Sequence, residues 1–292
     1  PAGGTGQTGS LAAANGAVDL QEGHIISVFR PKGGSGCTTV AINLAVSLAK
    51  QGHKTILLDA SLQFGDISVM LNMKPLTSIL DLTESADDLD EDLITSVVQV
   101  HGPSDLHVLL APAKPEQAEL INEGQIGKIL DRLSQIYEFI IIDTNSTLQG
   151  IELTVLDKAD KIMLITQQSL PSLKNNRNFF DLVDGLDYGA CKVWLVANRT
   201  SNKYGISVKD VSDILKHPVI NTIPSDDVAV NSAADQGIPV IISARKSSVT
   251  DAIGQLTNYV INDLVVGDSN AESKEDNEPS KSGLLGRLFS RG

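Results

Sequence analysis

A glycine-rich segment near the start of the chain, PKGGSGCTT, covers residues 31–39. Gly33, Gly34 and Gly36 allow the backbone to curl so that successive N–H groups point inward, as they do around a bound phosphate. The segment follows an apolar run and opens an amphipathic one, so the positive end of a helix would face the same phosphate. The hydroxyl of Thr38 stands where such loops supply a ligand to Mg²⁺. The segment therefore predicts a nucleotide site, and the simpler alternative is a glycine-rich turn without a ligand.

Two later apolar runs end in a carboxylate: Asp59 follows TILL and Asp143 follows FIII. Ligands of open α/β sheets bind at the carboxyl ends of the strands, and a carboxylate there can order the water shell of Mg²⁺. We therefore expect Thr38 and Asp143 at a magnesium ion, with the carboxylate acting through water. The alternative for Asp143 is a turn or a helix cap.

Short apolar runs rich in Ile, Val and Leu recur at 24–29, 54–60, 106–112, 138–144, 161–167, 192–198 and 218–224. They show little alternation of polar and apolar residues, which indicates strands buried on both faces. Amphipathic stretches typical of helices lie between them, for example at 38–50, 116–136, 172–186 and 207–216. The alternation predicts an α/β fold with a doubly wound, mainly parallel sheet and helices on both faces.

Composition divides the chain into four parts. Residues 1–22 have the composition of a flexible linker, and 23–265 carry the hydrophobic segments of one nucleotide-binding domain. Residues 266–282 are polar and charged, which predicts a disordered linker, and 283–292 form a short apolar and basic tail.

The tail predicts a membrane contact. As a helix it would place Leu284, Leu285, Leu288 and Phe289 on one face, with the basic Arg287 and Arg291 beside them. A basic amphipathic helix behind a flexible linker is typical of an anchor at an anionic membrane surface. The alternatives are a frayed terminus and a helix that docks on the protein's own core.

The bulk properties limit the partners. The formal net charge of −13 and the pI of about 4.7 argue against nucleic acid, because an acidic surface repels phosphate backbones. Cys37 and Cys191 have no metal-type spacing, which favours a reducing, cytoplasmic compartment. No apolar run approaches the roughly 20 residues that span a bilayer. We expect a cytoplasmic protein that attaches peripherally to the inner face of the cell membrane.

The segment PKGGSGCTT resembles the deviant Walker loop of the ParA/MinD ATPases, KGGxGKTT. The resemblance covers most of 25–262 and includes TILLDASLQFGD, YEFIIIDTNSTL, VANR and IPSDDVAVNSAADQGIPVI. It implies ATP and Mg²⁺ as cofactors and a homodimer bridged by nucleotide. It also implies that Lys32 acts catalytically across the dimer on the partner's phosphates. Asp59 would have a weaker catalytic role and would lie at the metal ion, acting through water. The nucleotide-binding residues that it implies are Lys32, Gly33, Gly34, Ser35, Gly36, Cys37, Thr38, Thr39, Asn198, Arg199, Pro224 and Asp226, of which the last four resemble residues on the adenine side.

The chain departs from the family pattern at two positions. Cys37 replaces the loop lysine, and Ser61 replaces an aspartate that orients the attacking water. Because phosphoryl transfer depends on positioning and charge, these losses predict at most a weak ATPase, although Asp66 could substitute for the aspartate. A redox-active or nucleophilic Cys37 at a helix N-terminus is another interpretation.

The missing lysine and the run LQFGD at 62–66 make the TadZ/CpaE pilus-assembly branch the best match. Members of that branch often carry a receiver-like domain first, which would make 1–22 a linker from such a domain. The resemblance implies a membrane-associated ATP switch that localises pilus or secretion machinery. The alternatives are an active ATPase that cycles on membrane or nucleoid to position division, flagellar or DNA cargo, and a scaffold that binds no nucleotide.

Overall fold

The computed structural model describes residues 22–266 with the exception of 187 and 190. The first linker up to residue 21, most of the second linker and the predicted membrane-binding residues at 284–291 lie outside the described residues. Within 22–266, apart from the two omitted positions, no helix is long and apolar enough to cross a membrane.

The described chain forms one eight-stranded sheet with the strand order β3-β4-β2-β5-β1-β6-β7-β8. Each neighbouring pair is parallel except β3 with β4, which run antiparallel. The strands are β1 (His24–Phe29), β2 (Thr55–Asp59), β3 (Gln99–His101), β4 (Leu106–Leu109), β5 (Phe139–Asp143), β6 (Lys161–Thr166), β7 (Val193–Thr200) and β8 (Val219–Pro224).

Helices connect the strands and cover both faces of the sheet. They are α1 (Cys37–Lys50), α2 (Ile67–Met70), α3 (Leu80–Thr83), α4 (Glu91–Val97), α5 (Glu123–Ser134), α6 (Ile151–Lys158), α7 (Leu170–Gly185), α8 (Val208–Leu215), α9 (Asp227–Gln236), α10 (Val240–Ser243) and α11 (Ser248–Ile261). A 3₁₀ turn at Pro115–Leu120 and a π-helical segment at Asn262–Val266 complete the described elements. The predicted fold class is confirmed.

Two hydrophobic cores lie on opposite faces of the sheet. In β1, Ile25 and Phe29 pack into the core under α5, α6, α7 and α8, whereas Ile26 and Val28 pack into the core under α1 and α11. Successive side chains of a strand point to opposite faces, so a strand covered on both sides carries apolar residues on both faces. The sheet is therefore fixed rigidly under the loop that follows β1.

Two elements differ from the sequence prediction. The predicted helix at 116–136 is interrupted, because Ile121 is extended and Asn122 begins α5 with a capping box to Gln125. The short edge strand β3 was not predicted, since its residues QVH carry no run of apolar side chains.

Later strands lie on both sides of β1 in the sheet. β5 and then β2 lie on one side of it, and β6 lies on the other. A crevice opens at the carboxyl ends of the strands where the direction changes, and this is where open α/β sheets bind ligands.

Candidate functional site

The glycine-rich loop lies at this crevice, between β1 and α1. Gly34 and Gly36 have φ angles of +82° and +85°, which L side chains rarely adopt. Asn198, at the end of β7, donates a hydrogen bond of 2.8 Å from Nδ2 to the carbonyl of Ser35. A Cβ on Gly36 would lie 2.5 Å from the same Nδ2. The loop is therefore held in a curled shape by its glycines and by Asn198.

The two predicted carboxylates meet beside the loop. Asp59 and Asp143 are register partners at the ends of β2 and β5, and each is 1% exposed. Burial, reinforced by the charge of Asp143, raises the pKa of Asp59 to about 8. Burial also raises the pKa of Asp143 to about 6, although a hydrogen bond from Thr38 and the charge of Arg30 oppose the rise. Each raised pKa means that the local structure disfavours the carboxylate charge.

These groups fit Mg²⁺ held by few protein ligands. Among the described atoms, Asp143 Oδ1 has no hydrogen-bond partner, and the Thr38 hydroxyl is close enough to bond to this carboxyl group. In the described part of the chain, no group of three or more His, Cys, Asp or Glu residues is arranged so that it could hold a metal ion by itself. Mg²⁺ typically keeps several waters and takes one or two carboxylates together with substrate phosphates, so two buried carboxylates and a hydroxyl are an adequate set.

A cavity of about 150 Å³ lies on the other side of the loop. It brings together the residues predicted on the adenine side with the start of α1: Gly36, Thr39, Asn198, Arg199, Pro224 and Asp226 all line it. Arg199 Nη2 lies 2.8 Å from Asp227 Oδ1, and Asp226 caps α9 by accepting a bond from the Ala229 N–H. Asn198 and Asp226 thus position the loop and α9 in addition to lining the cavity.

Lys32 is exposed and borders a second cavity of about 170 Å³. Among the ion pairs of the described residues, none includes Lys32. Ser35 and Asn176 line the same cavity and carry buried oxygens that are unpartnered within 22–266. The ammonium group of Lys32 is thus available to a partner outside its own site.

Cys37 is the first residue of α1, and its thiol is buried. Sγ donates to the carbonyl oxygen of Val28 at 3.1 Å. Burial raises the pKa of the thiol well above its ordinary value, and the charge of Asp143 adds to the rise. The interpretation of Cys37 as a redox-active or nucleophilic thiol is therefore wrong, because such chemistry needs an accessible thiolate. Cys37 can serve a phosphate only through its backbone N–H.

Ser61 and Asp66 lie on the segment after β2. The Ser61 N–H donates to Asp59 Oδ1 at 3.1 Å, and its hydroxyl lies 3.4 Å from Asn145 Oδ1. Asp66 is exposed, and its charge contributes to the raised pKa of both buried carboxylates. Asp66 is thus close enough to act electrostatically on both buried carboxylates, but within the described residues the three form no group that could hold a metal ion.

Sequence reasoning missed Arg30, which follows the last residue of β1. Its Nη1 lies 3.9 Å from Asp143 Oδ1, so a cation approaches the carboxylates from the strand side of the loop. A signal was present in the sequence: an arginine stands two positions before Lys32 in a loop that lacks its usual second lysine.

Comparisons with known proteins agree with this geometry. Residues 23–187, more than half of the chain, match the AAA_31 family of AAA domains. The chain is 26% identical over 229 residues to the septum site-determining protein MinD of Synechocystis sp., which covers 77% of this chain and 84% of MinD.

Two solved structures share the fold. A ParA family ATPase from Chlorobium tepidum superposes with a TM-score of 0.76 at 24% identity, covering 80% of this chain and 98% of the ATPase. MinD from Pyrococcus horikoshii, complexed with Mg-ADP, superposes with a TM-score of 0.72 at 22% identity, covering 84% and 98%. The chain belongs to the AAA_31 family of AAA domains and is a protein of the ParA/MinD type of Walker ATPases.

Proposed function

We propose that the chain binds ATP with Mg²⁺ and acts as a dimeric switch that hydrolyses ATP slowly or not at all. The observation that carries the proposal is the order of groups across one crevice. The base cavity with Asn198 and Pro224 lies on one side of the curled loop, and the buried pair of Asp59 and Asp143 lies on the other. A nucleotide laid along the loop would reach both.

The loop and the start of α1 would hold the phosphates through backbone N–H groups. Thr38, Asp59 and Asp143 would hold Mg²⁺, which supplies positive charge to the phosphate oxygens when it is bound. The raised pKa values of both carboxylates support a cation at this point, because a nearby positive charge stabilises ionised carboxylates.

Slow hydrolysis follows from the side chains at two positions. The Cys37 thiol is neutral, buried and bonded to Val28, so it offers no charge to a transferring phosphoryl group. Ser61 has a hydroxyl where the resemblance implies a carboxylate. Removing one preorganised donor from an active site costs on the order of 10²-fold in rate, so two such losses leave a slow enzyme.

A nucleotide-dependent homodimer is part of the proposal. Lys32 is exposed, and large exposed apolar side chains follow the carboxyl ends of three strands, β2, β6 and β8: Phe64, Leu170 and Val228 are 74%, 70% and 83% exposed. Apolar residues around a charged ligand site suit a surface that packs against a second copy. Lys32 would then reach the partner's phosphates.

The cellular role is the finer part of the proposal. The TadZ/CpaE-like features at Cys37 and 62–66 favour a protein that localises pilus or secretion machinery. In this proposal 1–22 and 266–282 are linkers around the domain at 23–265, and 283–292 anchor it to anionic lipid at the inner face of the membrane. One anchor binds weakly, and two on a dimer bind strongly through effective concentration.

Titration calorimetry with Mg-ATP, run beside light scattering, tests the core of the proposal. We expect saturable binding and an increase in mass to that of a dimer, with Lys32→Ala weakening the dimer. Vesicle sedimentation of the full chain and of a truncation after residue 280 tests the anchor in the same samples. Absence of binding heat at millimolar Mg-ATP would refute the proposal.

An ATPase that cycles to position cargo is the second candidate. The exposed carboxylate of Asp66, close enough to influence Asp59 and Asp143, favours it because this group could orient the attacking water. Turnover comparable to that of ordinary P-loop ATPases, lost in Asp66→Asn, would decide for this candidate.

A further inference from the structure

Arg30 extends from the end of β1 toward the carboxylate side of the site. Its side chain is 18% exposed, and Nη1 lies 3.9 Å from Asp143 Oδ1. Its charge also acts on the Cys37 thiol, where it opposes the effects of burial and of Asp143 on the thiol pKa. The guanidinium therefore stands beside both a predicted metal residue and the residue that occupies the loop-lysine position.

The hydrogen-bonding groups around this point are incomplete. Nε and Nη1 of Arg30 are buried donors without an acceptor among the described residues, and 3.9 Å is too long for a hydrogen bond to Asp143. Asp143 Oδ1 is also unpartnered within the described chain, although its residue is only 1% exposed. Native proteins rarely leave such buried groups unpaired, so their convergence indicates a polar ligand.

We propose that Arg30 binds the terminal phosphates of the nucleotide and supplies the positive charge that Cys37 lacks. This inference rests on the proposed binding of ATP. A guanidinium is always charged and presents a planar fork of donors that matches phosphate oxygens. The base cavity lies on the Thr39 side of the loop, whereas Arg30 lies on the Asp143 side. Arg30 is thus placed for the phosphates farthest from the base.

A purely structural role for Arg30 has different consequences. An arginine that only neutralised Asp143 would satisfy its donors on that carboxylate, as bidentate pairs do. Here Nη1 remains beyond bonding distance of Asp143, and the neighbouring Nε has no acceptor in the described part of the molecule. A structural role would also affect ATP and ADP equally, whereas contact with the terminal phosphates favours ATP.

The test measures the affinity of the full chain for Mg-ATP and Mg-ADP by calorimetry. Arg30→Ala should weaken ATP binding by about 10- to 100-fold, the range expected for hydrogen bonds to a charged group, and should weaken ADP binding less. Arg30→Lys should lose less affinity for Mg-ATP than Arg30→Ala does, because lysine keeps the positive charge. Adding Cys37→Lys to Arg30→Ala should raise the affinity for Mg-ATP at least about tenfold above that of Arg30→Ala, because it returns a cation to the loop.

Arg177→Ala is the matched control, since Arg177 pairs with Asp181 on α7 and should leave both affinities unchanged. If Arg30→Ala fails to fold, Arg30→Gln is judged by the same criteria. Equal affinity of wild type and variant would overturn the inference and leave the proposed function intact. Equal losses for ATP and ADP without rescue by Cys37→Lys would also overturn it. A wild-type chain that binds no nucleotide would refute both.

Discussion

The two ends of the crevice are built differently. At the base end the polar side chains are already paired: Asn198 bonds to Ser35, Arg199 to Asp227 and Asp226 to Ala229. At the metal end Asp59 and Asp143 are buried together with raised pKa values, and Arg30 has unpartnered donors within the described chain. The polar side chains of the base end therefore have partners without a ligand. At the metal end, burial of the two carboxylates costs free energy, and bound Mg²⁺ and phosphate would offset that cost.

The loop joins the two ends, and disrupting it has the largest expected effect. Gly36→Ala would force a side chain into a positive φ and within 2.5 Å of Asn198 Nδ2. We expect a loss of about 100-fold in Mg-ATP affinity, from backbone strain together with the broken Asn198 bond. Calorimetry measures the affinity, and circular dichroism verifies the fold.

Gly33→Ala is the control within the same loop. A Cβ at Gly33 meets no atom within 4 Å among the described residues, and its φ lies outside the left-handed region. We expect its affinity to stay within about threefold of wild type. Similar losses in both variants would show that the loop does not act through the geometry described for Gly36.

Two residues near the metal end can be changed to those of the usual ParA/MinD pattern. Cys37→Lys together with Ser61→Asp should raise ATP turnover by about 10²-fold or more, because the pair returns a phosphate-binding cation and a water-orienting carboxylate. Steady-state phosphate release measures the change. Each single variant should gain less than the pair. Fast turnover of the wild-type chain would contradict the premise of slow hydrolysis.

The cost of the buried carboxylates predicts a gain in stability when one charge is removed. Asp59→Asn in nucleotide-free, metal-free protein should raise the free energy of unfolding at neutral pH by about 1–3 kcal/mol. For a domain of this size that corresponds to roughly 2–10 °C in melting temperature. The same variant should gain less stability than wild type when Mg-ATP is added.

The pH dependence of this gain has a definite sign. The pKa of Asp59 is raised from 3.8 to about 8 in the folded protein, so its stabilising contribution is present below pH 4 and is lost as the pH rises toward 8. The advantage of Asp59→Asn should therefore grow between about pH 4 and pH 8. Asp235→Asn is the control, since Asp235 is exposed on α9, belongs to no ion pair among the described residues, and its removal should change stability little. If Asp59→Asn has a lower free energy of unfolding than wild type, burial of the Asp59 carboxylate does not destabilise the metal end as proposed.

The sequence predicted the parts of the molecule that follow from periodicity and from backbone chemistry. Doubly buried strands and a glycine-rich turn before a helix leave clear patterns, so the sheet and the loop could be placed. The role of Asn198 in holding Ser35 could not be predicted, because it depends on a contact across 163 positions. Arg30 was missed for a similar reason: its neighbour Asp143, at the end of β5, is brought to it only by the sheet.

The smallest expected effect lies at the base end. Arg199 and Asp227 form an exposed pair at 2.8 Å, with side chains 48% and 59% accessible. Exposed ion pairs contribute only about 0–1 kcal/mol, and Arg199 already has a φ of +55° that alanine would adopt at similar cost. Arg199→Ala should therefore change Mg-ATP affinity by less than about threefold and melting temperature by at most a few degrees. Asp227→Ala removes the same pair from the other side and should reproduce the result. A loss of tenfold or more in Arg199→Ala alone would mean that Arg199 contacts the nucleotide directly, and the base end would then depend on its ligand as the metal end does.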